Sequence, residues 1–251
     1  MGATTFTRDW RHEGCERTPM NTEHKSPTAT DKEQPFGIDE AMALLRDAVR
    51  PFPKAAMFAL RDEGFASPFE QLIACLLSVR TYDEVSVVAS RRLFAQARTP
   101  AAIAELSEQQ VDALIPDVTF HERKALQILV IAKRVRDEFH GDLPCDDATL
   151  QSFNGIGPKC SHLALGIACN QQCISVDIHV HRVTNRWGYV KTRTPEQTML
   201  ALEHVLPDRY WVEINERLVP FGKHICTGIR PRCSTCLLNR VCPQIGVTSH
   251  R

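Results

Sequence analysis

Residues 150–169 read LQSFNGIGPKCSHLALGIAC. The pattern predicts a short helix, a tight turn over Gly155-Ile156-Gly157, and a second helix opening at Pro158. Proline fits a first helical position because the N–H it lacks would find no partner there. The glycines permit positive φ and leave their N–H groups uncovered. With the start of the second helix, those groups make a small anion site that suits a phosphate. Ile156, between them, is expected to anchor the turn in the core.

This is a helix-hairpin-helix, whose usual client is the DNA backbone, read without regard to sequence. The Gly-x-Gly pattern alone also suits a plain connection between two helices. Lys159 is open in the same way: a solvated lysine, a phosphate contact, or an attacking amine. An amine nucleophile needs a neighbour that can manage charge and protons. The candidate is Asp177 in VDIHVHRV (176–183), which follows an apolar Val176 and is placed to cap the next helix.

Helix signals continue on both sides of the hairpin. IDEAMALLRDAVRPFP (38–53) sets Met42, Leu44, Leu45 and Val49 on one face and stops at Pro51. SPFEQLIACLLS (67–78) begins with a capping box of Ser67 and Glu70, with Pro68 at the first helical position. Thr99 and Ser107 open helices in the same manner, and Thr194, Pro195 and Gln197 make another box. HERKALQILVIAKRVRDEFHG (121–141) carries apolar residues at 125, 126, 129, 130 and 132 and stops at Gly141. RYWVEINERLVPFG (209–222) closes the series. Only CISVDIHV (173–180) has strand-like composition, and it is too short to build a sheet. With no internal repeat, an all-α protein is expected.

The 251-residue chain is 43% hydrophobic, enough for one large core or two modest ones. Lys plus Arg equals Asp plus Glu at 30 each, so a nucleic-acid partner must be met by local patches rather than net charge. No apolar run reaches the ~18–20 residues that span a bilayer, and nothing near the start resembles a signal peptide. A soluble, intracellular protein with no membrane partner is expected. Residues 1–37 are polar, Thr-rich and aperiodic, which predicts a disordered tail. Acidic residues throughout that tail argue against a mitochondrial presequence.

In a reducing compartment the ten cysteines are expected as ligands or buried thiols rather than disulfides. Four of them, Cys226, Cys233, Cys236 and Cys242, crowd near the C-terminus. Thiolates so close can enclose one tetrahedral metal or a 4Fe-4S cube. A structural zinc more often shows two C-x2-C knuckles, and the single knuckle here tips the spacing toward iron–sulfur. From Gly222 onward there is no acidic residue, so Lys223, Arg230, Arg232 and Arg240 make a local positive patch.

FNGIGPKCS (153–161) followed by VDIHVHRVTNR (176–186) resembles the endonuclease III family of helix-hairpin-helix DNA glycosylases. That family's pattern is Leu-Pro-Gly-Val-Gly with a catalytic lysine, then Val-Asp-Thr-His. SPFEQLIACLLSVRTYDEVS (67–86) is similar to its first helix and the loop after it. The resemblance covers about residues 40–245. It implies two helical lobes with a DNA-binding cleft between them. One is a helical barrel domain with the hairpin, residues 61–171. The other is an iron–sulfur cluster domain, residues 172–251, against which a helix within 38–60 packs.

On the family pattern, Lys159 falls on the Schiff-base lysine, Asp177 on the essential aspartate, and His179 on the histidine two residues beyond. The four cysteines fall on the ligands of a 4Fe-4S cluster that is structural rather than catalytic. Gly155, Ile156, Gly157, Arg230 and Arg232 are implied DNA contacts. Arg80 and Phe120 fall where side chains fill the hole left by a flipped nucleotide. Each has an ordinary alternative, Phe120 in the core and Arg80 in a salt bridge. The chain also departs from the pattern. Phe153-Asn154 replaces Leu-Pro, Pro158 a basic residue, Cys160 a small or hydroxyl one, Arg80 a glutamine and Thr119 a glycine. Glu122 lies in a loop that is often basic, and with Pro158 it weakens phosphate contacts.

The implied activity is base excision of oxidised pyrimidines with abasic-site lyase action. The implied partner is double-stranded DNA with damaged bases or abasic sites, met by a monomer in the cytoplasm. Lys159 argues against the related adenine-excising class, which usually lacks the lysine. A monofunctional glycosylase for another lesion and a damage-binding protein with feeble catalysis are the other readings. A reacting amine must be deprotonated, so burial or neighbouring cations are expected to lower the pKa of Lys159.

Overall fold

The computed structural model describes residues 37–251, so the tail expected over 1–37 lies outside the described residues except for Gly37. The described chain forms twelve α-helices and two short 3-10 turns, with no strand. The first six helices are α1 (Ile38–Val49), α2 (Ala56–Asp62), α3 (Pro68–Ser78), α4 (Asp83–Gln96), α5 (Pro100–Ala104) and α6 (Glu108–Leu114). The others are α7 (His121–Glu138), α8 (Asp147–Gln151), α9 (Pro158–Ala168), α10 (Ile178–Arg186), α11 (Pro195–Val205) and α12 (Glu213–His224). None is long and apolar enough to cross a membrane.

Local capping sets most of these starts. Ser67 and Glu70 close a full box on α3, as do Ser107 and Gln110 on α6. Thr194 caps α11, but Gln197 accepts from the Arg193 N–H instead of reaching back to Thr194, so that box is half made. The segment expected to resemble a strand pairs with nothing among the described residues, and α10 begins at Ile178. An isolated extended segment has no neighbouring edge to bond. Its carbonyls go elsewhere: Ile174 O lies 3.0 Å from His162 Nδ1, and Ser175 O accepts from Asn215 Nδ2 at 3.4 Å.

The buried apolar residues fall into two clusters. The first gathers Ala55, Ala56, Met57, Phe58 and Leu60 with residues of α3 to α9, Cys173 and Val219. The second gathers Ala41–Val49 of α1 with residues 174–238. α3 sits at the centre of the first, buried on every side, and carries α9 directly on it. α12 presents Ile214, Leu218 and Phe221 to the second core and Val219 to the first.

One cysteine expectation is overturned. Cys145 and Cys169 form a disulfide with Cα atoms 6.0 Å apart. Cys145 precedes α8 and Cys169 caps α9, and the packing of those two helices brings the thiols together. Cys75 and Cys160 are buried free thiols, in line with the sequence.

Candidate active site

Lys159 projects from the first turn of α9 and Asp177 from the cap of α10. Together with Ser78, Asp83 and Asn215 they line one pocket, whose apolar walls come from α2, α9 and α12. Two bonds hold these supports in register. Ser175 Oγ donates to Lys159 O at 3.1 Å, and buried Asn215 donates to the carbonyl of that same serine. Asp177 Oδ1 accepts from the His179 and Val180 N–H groups, each at 2.9 Å, so its carboxylate is fixed by the helix it starts. Lys159 is exposed to water while protein surrounds most of its ammonium, the situation of a group at the bottom of an open cleft.

The expected depression of the Lys159 pKa is not found. Burial presses it down, but Cys75, Asp177, Cys160 and Asp83 press it up, and the net direction is upward. Asp177, the expected partner, favours the charged amine, and Asp83 and the thiols of Cys75 and Cys160, which only packing brings near, add to it. An attacking Lys159 must therefore lose a proton first.

Asp177 has two separable jobs, cap and charge. Asp177→Asn keeps an oxygen for both N–H groups, so thermal stability should hold, while catalysis falls on the order of 10²-fold or more with the lost charge. Asp177→Ala should lose the same activity and about 1 kcal/mol of stability besides. Thermal melts beside single-turnover rates check this; equal activity in Asp177→Asn and wild type would remove the carboxylate from the chemistry.

At the hairpin, Ile156 is buried in the first core as expected. The two glycines differ. Gly155 has φ +92, and a Cβ there would strike the Gln127 amide, which donates to Asn154 O. Gly157 is extended at φ −116, and a Cβ there meets nothing within 4 Å. Positive φ thus explains the first glycine only, and the second leaves open space beside the start of α9. Gly155→Ala should destabilise the fold by more than about 1 kcal/mol. Gly157→Ala should cost less than about 1 kcal/mol, from the poorer cap, while weakening DNA binding. Chemical denaturation and DNA titration of both variants separate the two roles.

Arg80 and Phe120 are both exposed, and both adopt left-handed backbone, φ 55 and φ 59. The Arg80 guanidinium lies 5.9 Å from the Phe120 ring centre. His179 is half-buried, with Nδ1 3.0 Å from the Arg182 guanidinium, and it packs where Gly222 leaves room. Burial, Arg182 and Lys223 lower its pKa despite Asp177, which favours a neutral ring. Arg230 and Arg232 are exposed. Lys223 is a correction to the positive patch, because it pairs with Asp83 at 3.0 Å and Glu84 at 3.4 Å.

The four C-terminal cysteines line one concavity with Trp187, Phe221 and Leu238, and no carboxylate lines it. No group of three metal-ligating side chains is drawn into a coordination shell among the described residues. The donor set is nevertheless all sulfur, and Arg186 donates to Cys226 Sγ at 3.2 Å, a bond that suits a thiolate. Residues 225–251 bury just Pro231 and Leu238, too little apolar surface to order so long a segment alone. A group that cross-links the four sulfurs fits this chain.

Sequence reading missed Ser78, Asp83 and Asn215 in the pocket, and it missed Lys124. Lys124 is 3% exposed and donates to Leu77 O, Val79 O and Thr81 Oγ1 at 2.9, 2.6 and 3.3 Å. Asp83 lay in the stretch already noted for its likeness, with no local feature to mark it.

Residues 73–208 match the family described as HhH-GPD superfamily base excision DNA repair protein. The chain is 44% identical over 184 residues to endonuclease III homolog 1, chloroplastic, of Arabidopsis thaliana, covering 70% of this chain and 48% of that one. It is 36% identical over 199 residues to endonuclease III of Thermotoga maritima, covering 79% of this chain and 90% of the relative. It spans about half the length of the Arabidopsis relatives it matches, 48% and 53%. Among solved structures, a trapped endonuclease III–DNA covalent intermediate superposes with TM-score 0.65 at 25% identity, over 81% of this chain and 96% of that one.

Proposed function

The chain belongs to the HhH-GPD superfamily of base excision DNA repair proteins, as a homologue of endonuclease III, and from that premise we propose that it is a DNA glycosylase with abasic-site lyase activity toward oxidised pyrimidines. The observation that carries the reading is the meeting of Lys159 and Asp177 in one pocket. The fold's likeness to an endonuclease III–DNA covalent intermediate supports it.

The damaged nucleotide is rotated out of the duplex so that C1′ reaches the pocket. Arg80 and Phe120, exposed side by side, fill the gap it leaves. As the bond from C1′ to the base breaks, its electron pair leaves with the base, and Asp177 stabilises the positive charge that grows on the sugar. Lys159, having given up a proton, forms a bond from Nζ to C1′. A second proton passes from the nitrogen to O4′ as the C1′–O4′ bond breaks, which opens the sugar ring and leaves the C1′=N iminium. Removal of a C2′ proton then expels the 3′ phosphate and cuts the strand. The hairpin glycines, Arg230 and Arg232 hold the DNA backbone, with affinity that falls as salt rises. Cys226, Cys233, Cys236 and Cys242 would hold a 4Fe-4S cluster, which when bound ties the C-terminal segment together.

The test is a panel of duplexes, each carrying one defined lesion, with base release and strand cleavage followed separately. Oxidised pyrimidines should be released with cleavage on the 3′ side. Release without cleavage favours a monofunctional glycosylase, and tight binding with neither favours a damage-binding protein.

A further inference from the structure

We propose that Lys124 is a positioning residue that locks the Arg80 and Phe120 loops into one rigid wedge; the inference rests on the base-excision reading above. The loops lie far apart in sequence; the Lys124 side chain, leaving α7 one turn after Phe120, bonds the Arg80 loop, and the two loops meet at Thr81 Oγ1, which Lys124 Nζ and the Thr119 N–H share.

α3 ends at Ser78, leaving carbonyls that need donors. A glycine commonly turns the chain after a helix, since positive φ costs an L-residue about 1–2 kcal/mol. Here Arg80 takes that conformation at φ 55, and Phe120 does the same at φ 59 just before α7. Such strain persists only where surrounding bonds over-determine it. Lys124 supplies those bonds. Its ammonium donates to Leu77 O and Val79 O before Arg80 and to Thr81 Oγ1 after it, so Arg80 is bracketed. Thr81 Oγ1 also accepts from the Thr119 N–H at 3.2 Å, which ties in the residue before Phe120. The Lys124 N–H donates to the Phe120 carbonyl at 3.0 Å, the first bond of α7, which holds the backbone on the far side of Phe120.

The three side-chain partners are neutral oxygens, matching the three donors of an ammonium. Holding a buried charge on neutral acceptors is costly, and burial pushes Lys124 down to about 8. An apolar residue would fill the same space at less cost. What the ammonium adds is a fixed geometry for two strained residues whose side chains both face solvent.

The experiment compares Lys124→Met with wild type on two substrates. One is a fully paired duplex with an oxidised pyrimidine, which requires the gap to be filled. The other is single-stranded DNA with an abasic site, which requires no base to leave a stack. Lys124→Met should excise from the duplex at least about tenfold more slowly, since small misplacements are amplified in rate. Borohydride trapping on the single strand should stay within about twofold. Fluorescence of 2-aminopurine beside the lesion should also lose its rise on binding. Should Lys124→Met not fold, Thr81→Val removes the shared oxygen alone and should show the same split.

Equal loss on both substrates with a lower melting temperature means a merely structural lysine and overturns the proposal. Unchanged rates on both overturn it as well. If wild type acts on neither substrate, the base-excision reading itself has failed, an outcome distinct from either.

Discussion

Lys159→Gln is expected to abolish the covalent adduct that borohydride traps between the wild-type protein and abasic-site DNA. An amide nitrogen shares its lone pair with the carbonyl and forms no Schiff base, so the loss should be complete rather than graded. The fold should be untouched, because the residue is exposed beside an open pocket and shape is nearly kept. A stability change within about 0.5 kcal/mol is expected at such a site, and binding to the same DNA should persist. The wild-type trapping rate should climb with pH. The acidic and thiol neighbours of Lys159 outweigh its burial and raise its pKa, so little free amine exists near neutrality and more appears as pH rises. An adduct surviving in Lys159→Gln would place the nucleophile elsewhere and sink the assignment.

Cys236→Ser should have the largest structural effect in the chain. After α12 the segment has one 3-10 turn and two buried residues, Pro231 and Leu238. Arg182 and Arg186 reach across from α10 to hold its start, bonding the carbonyls of Cys226, Thr227 and Gly228. Further along, the Ile245 N–H donates to Arg186 O at 2.9 Å and the Arg251 N–H to Pro231 O at 2.8 Å, and the proposed cluster would join the four sulfurs. Losing one ligand should cost on the order of 3 kcal/mol or more and open residues 225–251 to protease. Wild type should be brown, with broad absorbance near ~400 nm that the variant lacks; colourless protein holding zinc would displace iron–sulfur in favour of a filled-shell metal. Unchanged protease resistance in the variant would show that the segment needs no cross-link.

The helices were legible because their signals are short-range. Ser67 finds Glu70 three residues on, and Pro158 starts a helix wherever it is packed. The hairpin and the cysteine spacing were legible for the same reason. On α7 the local rules failed. Leu126 and Val130, apolar and expected to mark the helix, are 48% and 60% exposed, while the charged Lys124 is buried. No periodicity foretells that, because the three oxygens that accept its protons belong to residues more than forty positions upstream.

Gly157 shows the same division within one motif. The pattern credits both glycines of one tight turn with positive φ, and the fold uses one glycine for conformation and the other for open space. Lys223 reads as part of a basic tail until α12 lays it against Asp83 and Glu84 of α4.

The amino-acid order by itself determined where helices such as α3, α6 and α9 begin, that a glycine hairpin presents a lysine, and that four thiols lie close along the chain. Tertiary structure alone decided that Lys159 shares a pocket with Asp177, that Cys145 bonds Cys169, and that Lys124 joins two distant loops. Caps and turns are settled within a few residues of chain, whereas pKa values, disulfides and buried charges depend on distances that exist only once helices pack.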